Sequence, residues 1–310
     1  MNLRVSAFWL GPICATVAVM CFAINDVVIK SFSDTHALHL VVLLRSVFGL
    51  LLILLVIIPL TSGYRALRTR RWPMHLARGA CIVFANTTFF LGLAALPLAD
   101  TVAIFFVSPL VITLFSVIFL GEKVGPRRWI AIAVGLVGVV VMMRPGSTAF
   151  QWAAFLPLAA AFGYAGIHII ARKIGGTESA ATMSFYLQLT FFVVSIMMGL
   201  AVGHGGFNQS QDPSLSFLLR GWFWPAPGDF LLLLVLGVAS SCGGWMISKA
   251  YSVSEASLVA PVEYLAMPVS VVAGILLFDE YPDQIAILGI GLILGAGLYM
   301  VWREQAATRL

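Results

Sequence analysis

Ten stretches of about 20 mostly apolar residues recur along this 310-residue chain, separated for the most part by short connectors. A helix of roughly that length crosses the hydrocarbon core of a bilayer. The runs fall near 9–31, 37–60, 74–96, 99–120, 127–143, 150–172, 180–202, 229–251, 256–278 and 283–302. The chain is 61% hydrophobic and 10% charged, against about 25% charged in an average soluble chain. So few charges cannot cover that much apolar surface in water. The expected fold class is an all-α membrane protein of ten transmembrane helices, with lipid as its main solvent and no soluble domain at either end.

The net charge of +5 raises the question of a nucleic-acid partner. The basic residues sit in connectors (Arg65, Arg68, Arg70, Arg71; then Lys123, Arg127, Arg128) and form no basic face interleaved with stacking aromatics, so no nucleic acid is expected. They orient the chain instead. With the N-terminus inside, Arg4, both of those clusters, Arg172, Lys173, Lys249, Arg303 and Arg309 all face the cytoplasm, leaving Lys30, Arg144 and Arg220 outside. Arg45 and Arg78 lie within runs. This asymmetry predicts a multi-pass protein of a bacterial-type inner membrane with both termini cytoplasmic. The first run continues directly into further runs and reads as a helix, not a cleaved signal peptide. Cys14, Cys21, Cys81 and Cys242 all lie in apolar runs without metal-ligand spacing, so they read as small packing residues. The connectors at Leu96-Pro97-Leu98 and Asp279–Pro282 are short enough to make their helices antiparallel neighbours. The long connector at 203–228, rich in Trp, is expected along the membrane surface.

The halves echo each other. CFAINDVVIK (Cys21–Lys30) matches GYAGIHIIAR (Gly163–Arg172), placing Lys30 over Arg172 and Asp26 over His168. FLGEK (Phe119–Lys123) matches LFDEY (Leu277–Tyr281), each following a proline, Pro109 or Pro268. Five helices per half is an odd number, so the second half must be inverted. The expected units are 1–146 and 147–310, and inverted repeats commonly build alternating access with a site at their interface.

The run Ala95–Pro109 (ALPLADTVAIFFVSP), the Gly-Glu-Lys at Gly121–Lys123 and the run Gly135–Gly146 (GLVGVVVMMRPG) carry a family likeness. With their looser echoes in the second half, they make the chain resemble the drug/metabolite transporter superfamily in its ten-helix EamA-like branch. The resemblance covers nearly the whole chain. It implies a central cavity lined by helices 1–4 and 6–9, with helices 5 and 10 peripheral. It is almost silent about substrate, and the long connector after helix 7 departs from compact members.

Ionisable groups inside a bilayer cost roughly 2.5–3.5 kcal/mol even on lenient scales, so each is a functional candidate. Asp26 and Arg45 lie on consecutive antiparallel runs at depths that differ by about 5 Å. They could form a substrate pair or outer gate, with Asn25 as a further hydrogen-bonding group. The alternatives are a structural ion pair, or Asp26 satisfied by Lys30 one turn away. Glu263, in PVEYLAMP between Pro261 and Pro268, is a candidate for proton coupling or for binding a cationic group. The prolines free backbone carbonyls, and a carboxylate in apolar surroundings can exchange a proton near neutral pH. Pairing with Lys249 or His168 is its structural alternative. His168 and Gln188 occupy repeat positions equivalent to Asp26 and Arg45. Asn86 belongs to the polar Asn86-Thr87-Thr88 cluster, echoed by Ser240-Ser241. Phe105, Phe106, Tyr186, Trp245 and Tyr264 could form an aromatic wall. Gly135, Gly138, Gly289, Gly291, Gly295 and Gly297 read as packing positions, and the Gly291–Gly295 pair also as a weak dimer face, leaving a monomer or weak homodimer.

These residues point to a secondary carrier for an amino acid, related zwitterion or vitamin-like compound, with the proton as candidate coupling ion and membrane lipids as surroundings. No nucleophile–base pair, metal-ligand cluster, phosphate loop or cofactor motif stands in the sequence, which argues against an enzyme or ATP coupling. A lipid flippase or channel-like protein is the alternative.

Overall fold

The computed structural model describes residues 2–61, 63–121, 125–146, 151–174, 178–253 and 262–308, and no strand occurs among the described residues. Helix α1 covers Asn2–Phe32. Helix α2, Leu38–Leu52, runs on through a π turn at Ile53–Ile57 into Ile58–Thr61. Then come α3 (Trp72–Ala95), α4 (Leu98–Phe105), α5 (Ser108–Leu120), α6 (Pro126–Met143), α7 (Phe155–Ile174) and α8 (Ala180–Val202). A short α9 (Pro213–Leu219) precedes α10 (Asp229–Val253), α11 (Ala266–Phe278) and α12 (Gln284–Thr308).

Among the described residues, seven segments are long and apolar enough to cross a membrane: Trp9–Phe32, Leu38–Thr61, Trp72–Ala95, Leu98–Phe119, Trp152–Ala171, Ala180–Val202 and Asp229–Ile247. Three shorter apolar stretches, Trp129–Met143, Ala266–Phe278 and Gln284–Tyr299, coincide with the remaining expected spans. The chain is therefore an all-α, multi-pass membrane protein. The first part of the ninth span (256–261, with Pro261) and the residues Glu122, Lys123 and Arg309 lie outside the described residues.

The expected fourth and ninth spans are each interrupted, the ninth within the proline-marked segment expected to be loosened. The fourth breaks at Phe106-Val107 and the ninth at Tyr264-Leu265. Each break precedes a proline, Pro109 or Pro268, which offers no N–H to the carbonyl four residues back, that of Phe105 or Tyr264. The two segments also end alike. Gly121 caps α5 at φ 68°, and Asp279 caps α11 at φ 54°, both left-handed. A non-glycine residue there costs roughly 1 kcal/mol or more.

The helices pair across the sequence: α1 on α10, α3 on α7, α2 on α8 and α10, and α6 on α12. Missing side chains set the α6–α12 contact. A Cβ on Gly138 would stand 3.1 Å from the Gly289 carbonyl, and one on Gly289 would meet Met142. Gly291 and Gly295 face open space instead.

The 203–228 connector does more than lie on a surface. Phe217 is fully buried among core residues of α1, α2 and α3, and the Ser214 hydroxyl donates to the Leu91 carbonyl at 2.7 Å. The Arg220 guanidinium donates to the carbonyls of Ser33 and His36 at 2.9 and 3.0 Å. Trp222 lies against Gly199 and edge-on to His39, whereas Trp224 is exposed, as expected of an interfacial ring. The segment thus ties together the α1–α2 turn, α3 and α8.

Candidate functional site

Arg45 is the largest fully buried side chain among the described residues, 1% exposed. A guanidinium in that position needs acceptors and a polarisable lining. Its Nη1 donates to Asn25 Oδ1 at 3.3 Å, and Asn25 Nδ2 donates to Asp26 Oδ1 at 3.0 Å. The guanidinium also lies over the rings of Phe191 and Phe90, with centroids 4.7 and 5.4 Å away, a cation–π environment. The expected direct Asp26–Arg45 contact is corrected: no ion pair joins the two, and the amide stands between them. Consecutive residues point about 100° apart around a helix, so only one of Asn25 and Asp26 can face α2 squarely.

Lys30 is not the partner of Asp26 either. It pairs with Glu280 at 2.8 Å and donates to the carbonyls of Leu96 and Leu93 at 2.7 and 3.2 Å. Glu280 accepts the Leu98 N–H at 2.8 Å. One ion pair therefore fastens the end of α1 and the α3–α4 turn to the segment after α11. A cavity of about 480 Å³ lies beside it, bounded by Ser33, Asp34, Ala95 and Phe278. Near this end, burial holds the His36 imidazole below its ordinary pKa, while Asp229, 3.6 Å away, pulls it upward. The Arg144 hydrogen bond keeps the exposed Asp283 carboxyl below the usual carboxylate range.

Gln188 is 5% exposed, and its Nε2 donates to Ser241 Oγ at 2.8 Å and Ser240 Oγ at 3.3 Å. It lies against Gly49, one turn along α2 from Arg45. Arg45 and Gln188 are thus near neighbours on packed helices.

The aromatic wall forms with a different membership. Phe105 is 4.9 Å from Phe89 and 5.2 Å from Tyr164, whose ring is 4.5 Å from His168. Phe106 joins Phe105 to Tyr264 at 6.2 and 5.4 Å. Tyr264 is 4% exposed and packs on Gly297 of α12. Half-buried Glu263 stands close enough for its charge to act on both Tyr164 and Tyr264, and Arg78 acts on Tyr164 from α3. The helix breaks put Phe105 and Tyr264 here. Trp245 lies apart, under Lys249 at 5.4 Å. Asn86 is half-buried in α3.

Tyr186 belongs to another cluster. Its ring stacks on His75 at 4.4 Å and its hydroxyl donates to the Leu67 carbonyl at 2.8 Å. His75 Nε2 lies 3.4 Å from Glu178, which accepts from Thr69 Oγ1 at 2.7 Å. Arg78 donates to the Met183 carbonyl at 3.2 Å. Sequence reasoning singled out Tyr186 here but missed His75 and Glu178. Arg78 carried a legible signal, a charge within an apolar run, whereas His75 and Glu178 meet only through folding.

Comparisons with known proteins bear on what such a scaffold does. The profile of the EamA-like transporter family matches residues 9–144. A riboflavin transporter of Rhizobium johnstonii is 30% identical, over 80% of this chain and 76% of its own length. An S-adenosylmethionine uptake transporter of Rickettsia prowazekii is 28% identical, over 96% of this chain and 94% of its own. The pseudopaline exporter CntI of Pseudomonas aeruginosa is 28% identical, over 92% and 94% respectively. A solved crystal structure with 19% identity superposes with a TM-score of 0.64, covering 96% of this chain and 98% of its own, which establishes a shared fold.

Proposed function

The chain belongs to the EamA-like transporter family of the drug/metabolite transporter superfamily, and from that premise we propose that it carries a small polar or amphipathic metabolite across a bacterial inner membrane by alternating access. Amino acids, related zwitterions and vitamin-like compounds are the candidate cargo. The observation that carries this reading is the chain from buried Arg45 and Asn25 to half-buried Asp26, because a charge inside an apolar bundle is costly and marks a functional pathway. Relatives named for S-adenosylmethionine, riboflavin and pseudopaline support a metabolite-sized cargo.

In this reading the ten spans form two inverted five-helix repeats, 1–146 and 147–310. The paired helix breaks before Pro109 and Pro268 and the left-handed caps at Gly121 and Asp279 support it. Asn25, Asp26, Arg45, Gln188, Phe105, His168, Glu263 and Tyr264 surround the substrate path, and Asn86, Tyr186 and Trp245 lie towards its margins. Glu263 takes up the coupling proton. Lys30 and Glu280 close the outer end, and both termini are cytoplasmic.

The test is uptake and counterflow in proteoliposomes, guided by a thermal-shift screen of the purified protein against a metabolite library, since a specific ligand raises the melting temperature by mass action. A stabilising compound that is also exchanged across the membrane supports the carrier. Failure of every stabilising compound to cross would remove it. A groove of about 640 Å³ beside α6 and α7, lined by Leu136, Val140, Met143, Trp152 and other apolar residues, suits lipid chains. Its described lining is apolar throughout.

A further inference from the structure

The donor groups of Arg45 are unequally used. Nη1 is engaged by Asn25, whereas Nε and Nη2 are fully buried and meet no hydrogen-bond acceptor among the described residues. Those two nitrogens share one edge of the guanidinium, where their N–H bonds run parallel. That edge is the one that takes a carboxylate in bidentate fashion. Its direction is set from three sides. Phe90 and Phe191 hold the guanidinium plane, and Asn25, its own amide committed to Asp26, holds the opposite edge. Leaving two charged donors unmatched in a dry interior is costly, so the arrangement is suited to an acceptor that arrives from outside the chain. A second buried group is incomplete in the complementary sense. Gln188 gives Nε2 to Ser240 and Ser241, but its Oε1 accepts no hydrogen bond among the described residues. Gln188 abuts Gly49, one turn along α2 from Arg45, so the two incomplete groups sit on neighbouring turns of packed helices.

Within the carrier reading above, we propose that the transported molecule is a carboxylate with a nearby N–H donor, such as a 2-amino acid or its derivative. The carboxylate docks on Nε and Nη2 of Arg45, and the N–H group is accepted by Gln188 Oε1. Phe90 and Phe191 exclude water from the fork and fix its orientation. Lysine cannot replace Arg45 here, because an ammonium presents no pair of parallel donors.

The experiment is a thermal-shift titration of the purified full chain with matched pairs: S-adenosylmethionine against its decarboxylated form, and L-amino acids against their amides. The acids are expected to raise the melting temperature and their partners to bind at least roughly tenfold more weakly, since an analogue lacking the group leaves the buried donors unmatched. Arg45→Lys should erase that discrimination. Should the variant fail to fold, the pairwise comparison on the unaltered protein stands alone. Equal stabilisation by acids and amides, no stabilisation by any acid, or discrimination retained in Arg45→Lys would overturn the proposal. Proteoliposome uptake separates this from the broader reading. Transport of a carboxylate-free compound such as riboflavin, with no acid carried, keeps the carrier and rejects the fork, whereas no transport of any compound removes both.

Discussion

Arg45 donates to Asn25 at 3.3 Å and reaches Asp26 only through that amide, so the buried cation of α2 and the acid of α1 are coupled without touching. An intervening amide leaves both charged groups with unused hydrogen-bonding capacity. A direct bidentate ion pair would consume it.

Asn25 should therefore be sensitive in two separable ways. Asn25→Ala leaves Nη1 unmatched, at a cost of about 1–3 kcal/mol, and should lower both the melting temperature and uptake. Asn25→Asp places a carboxylate beside Arg45 but loses the donor to Asp26, so it should lower the melting temperature less than Asn25→Ala while weakening ligand binding more. Size-exclusion thermal curves and uptake measured on the same preparations distinguish the two. Undiminished uptake in both variants would make the bridge a packing contact.

The Lys30–Glu280 pair fastens the end of α1 to the segment following α11. Glu280→Gln keeps an acceptor for the Leu98 N–H but loses the charge. It should leave the fold intact, because partly exposed pairs are worth only about 1 kcal/mol. The labelling rate of a cysteine at Val27 by an impermeant thiol reagent should rise several-fold if this pair closes the outer end. An unchanged rate would assign the pair a structural role.

Glu263 offers a test of coupling. If its protonation drives the conformational change, Glu263→Gln resembles the permanently protonated state, and proton-driven net flux should fail while counterflow survives. If Glu263 instead holds a substrate amine, both should weaken together. Wild-type values of both at equal protein levels would leave it a packing residue.

The glycines separate by position. Gly289→Val drives a side chain against Met142 and the Gly138 carbonyl, and should destabilise the protein by about 1–3 kcal/mol. Gly291→Ala meets nothing within 4 Å and should be neutral or slightly stabilising, as alanine is the better helix former. Melting temperatures of the two variants check this. Equal losses would show that Gly291 is covered by a partner in the membrane, as a dimer would require.

Much of this molecule is legible in one dimension. Apolar runs of membrane-crossing length, the uneven Lys and Arg in connectors, the two proline-marked spans and the unusual placement of Arg45 and Glu263 all follow from local cost. Each charge or proline within a run must be accounted for wherever the run packs. Hydropathy could not show that the fourth and ninth spans break, because a window average does not register a missing N–H. It placed Asp26 and Arg45 at one depth but not around the helix axis, so it paired the wrong neighbour. Folding alone joined Lys30 to Glu280, His75 to Glu178 and Phe105 to Tyr164. Those partners lie far apart in the chain, and only helix packing sets which side chains share a hydrogen bond or a ring contact.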